Sequence, residues 1–261
     1  MSPPFDRELT EYVDYPVHMD RLLWLWDRVK EVAETGRQVN VLDIGCGTGN
    51  ITIPLGAIKG SRILGIDIHQ PNVDISTARN PLSNVRFENR PLQEVDLAEF
   101  DLLIMTEVLE HIGPYPEILQ YIARHMNPAA RFLVTIPNGR GPFEISQIPV
   151  YLLRRFGMGG IVSGVKRLLG KEEPYSQNYE TPHVNFFTLS RMRRELLQYG
   201  LQLRGVRHSF VVLPIIETYL PFYRMHGGLV RADRALAQNL PAALVSGWYL
   251  EIGLDPRRRP A

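Results

Sequence analysis

The chain of 261 residues contains a single cysteine, Cys46. One thiol cannot close an internal disulfide, so nothing ties the fold to an oxidising compartment. No stretch reaches the ~18–20 uninterrupted apolar residues of a membrane-spanning helix. The first residues, Met1-Ser2-Pro3-Pro4-Phe5, lack a basic start followed by an apolar run, so the expectation is a cytoplasmic protein without a secretory leader. A surplus of one charge is also missing: 29 Lys and Arg face 28 Asp and Glu, a net charge of +1. That excludes a whole-molecule basic field recruiting nucleic acid, and leaves room only for a local patch. Internal repeats and low-complexity tracts are absent.

What is present is ordinary for a globular protein: 44% hydrophobic and 22% charged residues. The length fits one α/β domain with insertions. Residues 1–38 read as a helical cap, with Leu22, Leu23, Leu25, Trp26 and Val29 at helical spacing. From residue 39 the pattern changes to short apolar runs of strand length. These are Val39–Ile44, Arg62–Ile68, Val85–Glu88, Phe100–Thr106 and Arg131–Ile136. Helices are expected at Ile51–Ile58, despite Pro54, and at Pro116–His125. Strands alternating with helices imply a mostly parallel sheet with helices on both faces.

Two interruptions break the alternation. Residues 143–182 read as a helical insertion after the fifth strand, with helices over Ile145–Phe156 and Ile161–Leu169. It carries Arg154, Arg155, Lys166, Arg167 and Lys171 among apolar residues, which reads first as a solvated basic face. A contact with an anionic membrane surface or a phosphate-bearing acceptor is the sharper alternative. Residues 209–240 read as a second, irregular apolar segment with Pro214, Pro221, Gly227 and Gly228 as breakers. Between and after them come a helix at Leu189–Tyr199, a strand near Leu201–Val206 and a last strand over Leu244–Ile252.

The first strand ends in Asp43-Ile44-Gly45-Cys46-Gly47-Thr48-Gly49-Asn50. Glycines at a strand end let the backbone turn sharply and approach a ligand with no Cβ in the way. The amides at the following helix start favour an anionic group. The spacing is G-x-G-x-G, and Asn50 stands where a dinucleotide site has its last glycine. Asp67 lies 18 residues past Gly49, at the end of the second strand. An acid there is placed to accept hydrogen bonds from ribose hydroxyls. Glu107, Glu110 and His111 follow the fourth strand directly, where ligands bind in open α/β sheets. If that segment is helical, its carboxylates and imidazole share one face and can hold a divalent cation, with His183 completing the set. The bland alternative is a loop fixed by hydrogen bonds.

Together these residues resemble the class I S-adenosylmethionine-dependent methyltransferases. Thr106-Glu107-Val108-Leu109-Glu110-His111-Ile112 and His183-Val184-Asn185-Phe186-Phe187-Thr188 resemble the bacterial branch that includes the ubiquinone-type O-methyltransferases. The resemblance implies a three-layer sandwich with a seven-stranded, mostly parallel sheet. It implies that Asp43, Gly45, Cys46, Gly47 and Gly49 belong to the donor site, with Gly45, Cys46 and Gly47 lining its methionine end. Asp67 would bind the ribose and Ile68 would pack on adenine. Pro91 and Leu92 would hold the adenine edge, and Thr106 would touch the methionine moiety. Asn89-Arg90-Pro91 departs from the acidic residue common at that point. The implied chemistry is O-methylation of a small-molecule, glycan or lipid-linked acceptor. Glu107, His111 and His183 are the catalytic candidates, and Mg²⁺ bound by Glu107, Glu110, His111 and His183 is the candidate metal. An RNA-modifying methyltransferase and a non-catalytic cofactor-binding scaffold are the alternatives. A nicotinamide dehydrogenase is disfavoured by the glycine spacing.

Overall fold

Runs of valine, isoleucine and leucine bounded by glycine and polar turns form seven strands in the computed structural model, which describes residues 3–157, 183–219 and 227–257. They are β1 (Val39–Ile44), β2 (Ser61–Asp67), β3 (Val85–Asn89), β4 (Leu102–Thr106), β5 (Arg131–Pro137), β6 (Leu201–His208) and β7 (Gly247–Leu254). The sheet order is β3-β2-β1-β4-β5-β7-β6. β1 to β5 pair in parallel, and β7 runs antiparallel to both β5 and β6. This is the expected seven-stranded, mostly parallel sheet.

Alternate strand residues feed two cores, one on each face. Leu42, Ile44, Leu103, Met105, Phe132 and Val134 pack with Leu119, Ile122 and Leu196. Val39, Val41, Leu102, Ile104 and Leu133 pack with Leu22, Leu25 and Val29 on the other face. Burial on both faces explains the near-continuous apolar strands. The helices are α1 (Pro16–Ala33), α2 (Thr52–Leu55), α3 (Gln70–Arg79), α4 (Tyr115–His125), α5 (Pro142–Arg155), α6 (Leu189–Gln198), α7 (Leu213–Tyr219) and α8 (Gly227–Asn239). Leu22, Leu25 and Val29 are wholly buried, each contributing about 1.5–3 kcal/mol. The N-terminal helix is therefore a structural part of the sandwich.

Several expectations need correction. The helix expected over Ile51–Ile58 is one turn, α2, because Pro54 has no N–H and Gly56 closes the turn onto Thr52, Ile53 and Pro54 carbonyls. Helix α3 lacked a sequence signal because it buries Asn72 and Ser76 beside a lone Val73. The described parts of 209–240 are mainly helical, at Leu213–Tyr219 and Gly227–Asn239. Pro214 sits in the first turn of α7, where a missing N–H costs little. The Asp233 carboxylate of α8 accepts the Val211, Val212 and Leu213 amides. The last strand begins at Gly247 rather than Leu244, because residues 242–244 form a 3₁₀ turn. Helix α5, Pro142–Arg155, covers most of the expected Ile145–Phe156 but begins earlier and ends before Phe156. The second insertion helix, Ile161–Leu169, lies outside the described residues, as do Lys166, Arg167, Lys171 and Pro221.

Candidate active site

The glycine loop joins β1 to α2 at the carboxyl end of the sheet. Gly45, Gly47 and Gly49 have φ of 73°, 53° and 81°, in the left-handed region that favours glycine. Space is short as well. A Cβ on Gly45 would approach Val108 Cγ2 to 2.7 Å, and one on Gly49 would approach Phe87 Cζ to 2.9 Å. The Gly45 and Cys46 amides donate to the Ile66 carbonyl at 2.8 and 3.0 Å, tying the loop to β2.

Asp43 is buried and accepts a 2.6 Å hydrogen bond from Thr52 Oγ1. Burial pushes its carboxyl up to about 6, against the pull of the Thr52 bond and with a push from the Asp67 charge. Asp67 binds the loop directly: Oδ2 accepts the Gly47 amide at 2.9 Å and Oδ1 accepts the His69 amide at 2.8 Å. A carboxylate offers about four lone-pair sites, so capacity remains for a ribose hydroxyl. Ile68, just past it, is 81% exposed, an apolar platform where adenine was expected. Leu92 packs into the core and Pro91 is exposed. Burial pushes the Cys46 thiol up, which disfavours the thiolate.

Asn50 is a hub that the sequence did not advertise. Its Oδ1 accepts from Arg79 Nη2 at 3.1 Å and the Glu11 amide at 3.4 Å, and its Nδ2 donates to Thr48 Oγ1 at 2.9 Å. The N-terminal segment is thereby fastened to the glycine loop. His18 of α1 is held neutral, its pKa lowered to about 3 by burial and by Arg21.

Past β4 the chain is not α-helical, so the shared helical face that would put Glu107 with Glu110 and His111 does not form. Glu107 is the one non-glycine residue with positive φ among the described residues, at 53°. Only Leu109–His111 forms a 3₁₀ turn. Glu107 Oε1 accepts from Thr135 Oγ1 at 2.9 Å and pairs with Arg21 Nη2 at 3.3 Å. Ligand atoms of Glu110, His111 and His183 instead come within 4.8 Å of one another. The Glu110 backbone carbonyl accepts the Val184 and Asn185 amides at 2.8 and 3.0 Å, which brings residue 183 to this turn. Glu110 is wholly buried, and neither carboxylate oxygen has a hydrogen-bond partner. Burial first, and the Glu107 charge second, push its carboxyl well above the usual range.

His183 Nδ1 lies 2.8 Å from Glu144 Oε1 of α5, and Glu144 is itself buried. Burial lowers the imidazole's proton affinity, but the Glu144 bond and charge outweigh it, and the pKa rises above the ordinary value. Sequence reading missed Glu144: an acid in an insertion gives no sign that it will meet a histidine 39 residues on. The His111 and His183 rings meet edge to face at 4.9 Å between centroids.

A family model described as a methyltransferase domain matches residues 15–206. The chain belongs to that family. It carries a methyltransferase domain. The chain is 27% identical to the ubiquinone biosynthesis O-methyltransferase of Rickettsia akari over 104 residues, 39% of this chain and 41% of that protein. It is 32% identical to the mitochondrial ubiquinone biosynthesis O-methyltransferase of Homo sapiens over 108 residues, 38% of this chain and 29% of that protein. These matches span less than half the length of the relatives. The fold resembles magnesium protoporphyrin IX methyltransferase from Synechocystis with bound SAH, at a TM-score of 0.53 and 13% identity, covering 90% of this chain and 83% of that one. It also resembles the cyclase SpnF, at a TM-score of 0.55 and 18% identity, covering 90% and 81%. A cyclase on the same fold shows that the sheet alone does not fix the reaction.

Proposed function

We propose that the protein transfers the methyl group of S-adenosylmethionine to a hydroxyl oxygen of a small-molecule, glycan or lipid-linked acceptor. One observation carries the reading: Glu144, His183, His111 and Glu110 converge beside the segment that follows β4. The names of the O-methyltransferase relatives support it.

The sulfonium is an activated donor, so the protein's task is to align acceptor, methyl and sulfur and to keep water out. A hydroxyl acceptor must also lose its proton. Glu144 holds a proton on His183 Nδ1, which leaves the lone pair on Nε2 to take the acceptor's proton. The raised proton affinity of His183 suits a base of that kind.

The same donors fit a divalent cation. Glu110 offers two buried oxygens with no hydrogen-bond partner, which is costly for a carboxylate with nothing to bind. Glu110, His111 and His183 would hold the ion, and Glu144 would orient His183 behind it. Two imidazoles and one carboxylate suit Zn²⁺ or Mn²⁺ better than the Mg²⁺ expected from sequence. Such an ion would supply Lewis-acid stabilisation of the alkoxide.

On the acceptor side a cavity of about 180 Å³ is lined by Gly139, Glu144, Ile145, Ile148 and Phe186. Ile145, Ile148, Leu152 and Phe156 form an exposed stripe along α5, with Val184 and Phe186 beside it. The stripe suits an apolar acceptor portion, and peripheral contact with lipid if the acceptor is lipid-linked. No helix among the described residues is long and apolar enough to cross a membrane.

The test is a screen of hydroxyl acceptors with methyl-labelled S-adenosylmethionine. The expected product is a methyl ether, stable to mild base. A product methylated only on nitrogen, sulfur or a carboxylate overturns the reading. Chelation followed by Zn²⁺ or Mn²⁺ addition tests the cation: loss and recovery of activity are expected, and full activity after chelation removes the ion from the proposal.

A further inference from the structure

Arg21 is unexplained by the fold alone. It lies on α1, opposite the catalytic end of β4, and only 16% of its side chain is exposed. Burying a guanidinium there requires a partner. It pairs with Glu107, whose backbone lies in the left-handed region at φ 53°. Residue 107 borders the donor site: it follows Thr106, and its neighbour Val108 presses on Gly45. Arg21 and Thr135 together hold Glu107 Oε1 on the α1 side, away from the Glu110–His111–His183 cluster.

We propose that Arg21 is a positioning residue: it fixes the Glu107 carboxylate at the donor end of the site, facing the cationic methionine moiety, and keeps it from the Glu110–His111–His183 cluster. Seating α1 and completing the donor site then become one event. The neighbouring Asp20 anchors the same helix elsewhere, through Arg207 Nη2 at 2.7 Å and through Arg234. This gives a control that loosens α1 without touching Glu107.

The experiment is calorimetric titration of the full chain with S-adenosylmethionine and with its demethylated product, which lacks the sulfonium charge. Arg21→Met and Glu107→Gln are each expected to weaken S-adenosylmethionine binding about tenfold. The double variant should be no weaker than the worse single one, because both remove one interaction. Arg21→Lys should recover most of the loss, since it restores the charge if not the fork. The neutral product should lose less than the donor in every variant. Arg207→Met should lower the melting temperature yet leave donor affinity within about twofold. If Arg21→Met does not fold, Arg21→Gln carries the same comparison. Unchanged donor affinity in Arg21→Met, multiplying losses in the double variant, equal losses of donor and product, or an equal loss in Arg207→Met would each overturn the proposal. The last outcome would assign the effect to helix docking. None of these readouts depends on the acceptor, so a failed acceptor screen leaves them interpretable.

Discussion

On the donor side, polar side chains are tied back to the chain. Asp43 takes Thr52, Asp67 takes the Gly47 and His69 amides, and Asn50 takes Arg79 and the Glu11 amide. On the acceptor side the carboxylates are left more open. Both Glu110 oxygens, Glu144 Oε2 and Gln147 Nε2 are buried without a hydrogen-bond partner, whereas on the donor side the unpartnered buried atoms are ring nitrogens, His18 Nε2 and His69 Nδ1. The donor-side carboxylates are assembled before any ligand arrives, and those of the acceptor side keep polar capacity in reserve. Preorganisation lowers the ordering cost of binding. Unpaired buried polarity costs folding free energy that a ligand can return.

The largest expected effect tests the first half of that contrast. Gly45→Val places a branched side chain at φ 73° and drives its Cβ to 2.7 Å from Val108. Binding of the demethylated cofactor should weaken by at least about 100-fold, measured by calorimetry on protein whose circular dichroism is unchanged. Wild-type affinity would mean that the loop is more compliant than its hydrogen bonds imply.

Asp43 gives the next test. Its folded carboxyl titrates at about 6, above its ordinary 3.8. The folded state therefore holds the proton more tightly than the unfolded chain. Stability from this group is fully present below about pH 4 and is lost as pH rises through 6, by at most roughly 3 kcal/mol. Asp43→Asn removes that slope. The variant should gain on the wild type between pH 4 and pH 8 in urea unfolding, and a constant gap between the two curves would refute the assignment. His18 has the reverse slope, since its folded pKa is lowered, but it is common to both proteins and cancels.

On the acceptor side, Glu144→Gln should reduce turnover by about 10–100-fold through a misoriented His183. Cofactor-product affinity should stay within about twofold, and a parallel loss of both would merge the two regions into one unit. The smallest effect concerns α5. Ile148→Ser should raise the acceptor KM several-fold, by roughly the apolar area removed, with donor affinity unaltered.

The donor half was readable because its constraints are local. A glycine that must turn and an acid at a strand end announce themselves within a few residues. The sheet was readable for the same reason, since burial on both faces writes apolar runs. Glu144, Arg21 and Asn50 act across sequence separations that periodicity does not reach. The Glu107–His111 letters leave helix and hydrogen-bonded loop both open, and nothing local in them signals that Glu107 turns left-handed and pairs with Arg21 of α1. The separation of Glu107 from the Glu110 cluster follows from that one backbone angle.

Glu107 also shows what a purely local view of this protein would miss. A left-handed non-glycine residue costs about 1–2 kcal/mol of folding stability. Glycine at 107 would remove that strain but also the carboxylate that pairs with the largely buried Arg21 and accepts from Thr135. Breaking such a pair costs about 3–5 kcal/mol, more than the backbone returns. The strained angle is thus retained even under selection for heat resistance alone.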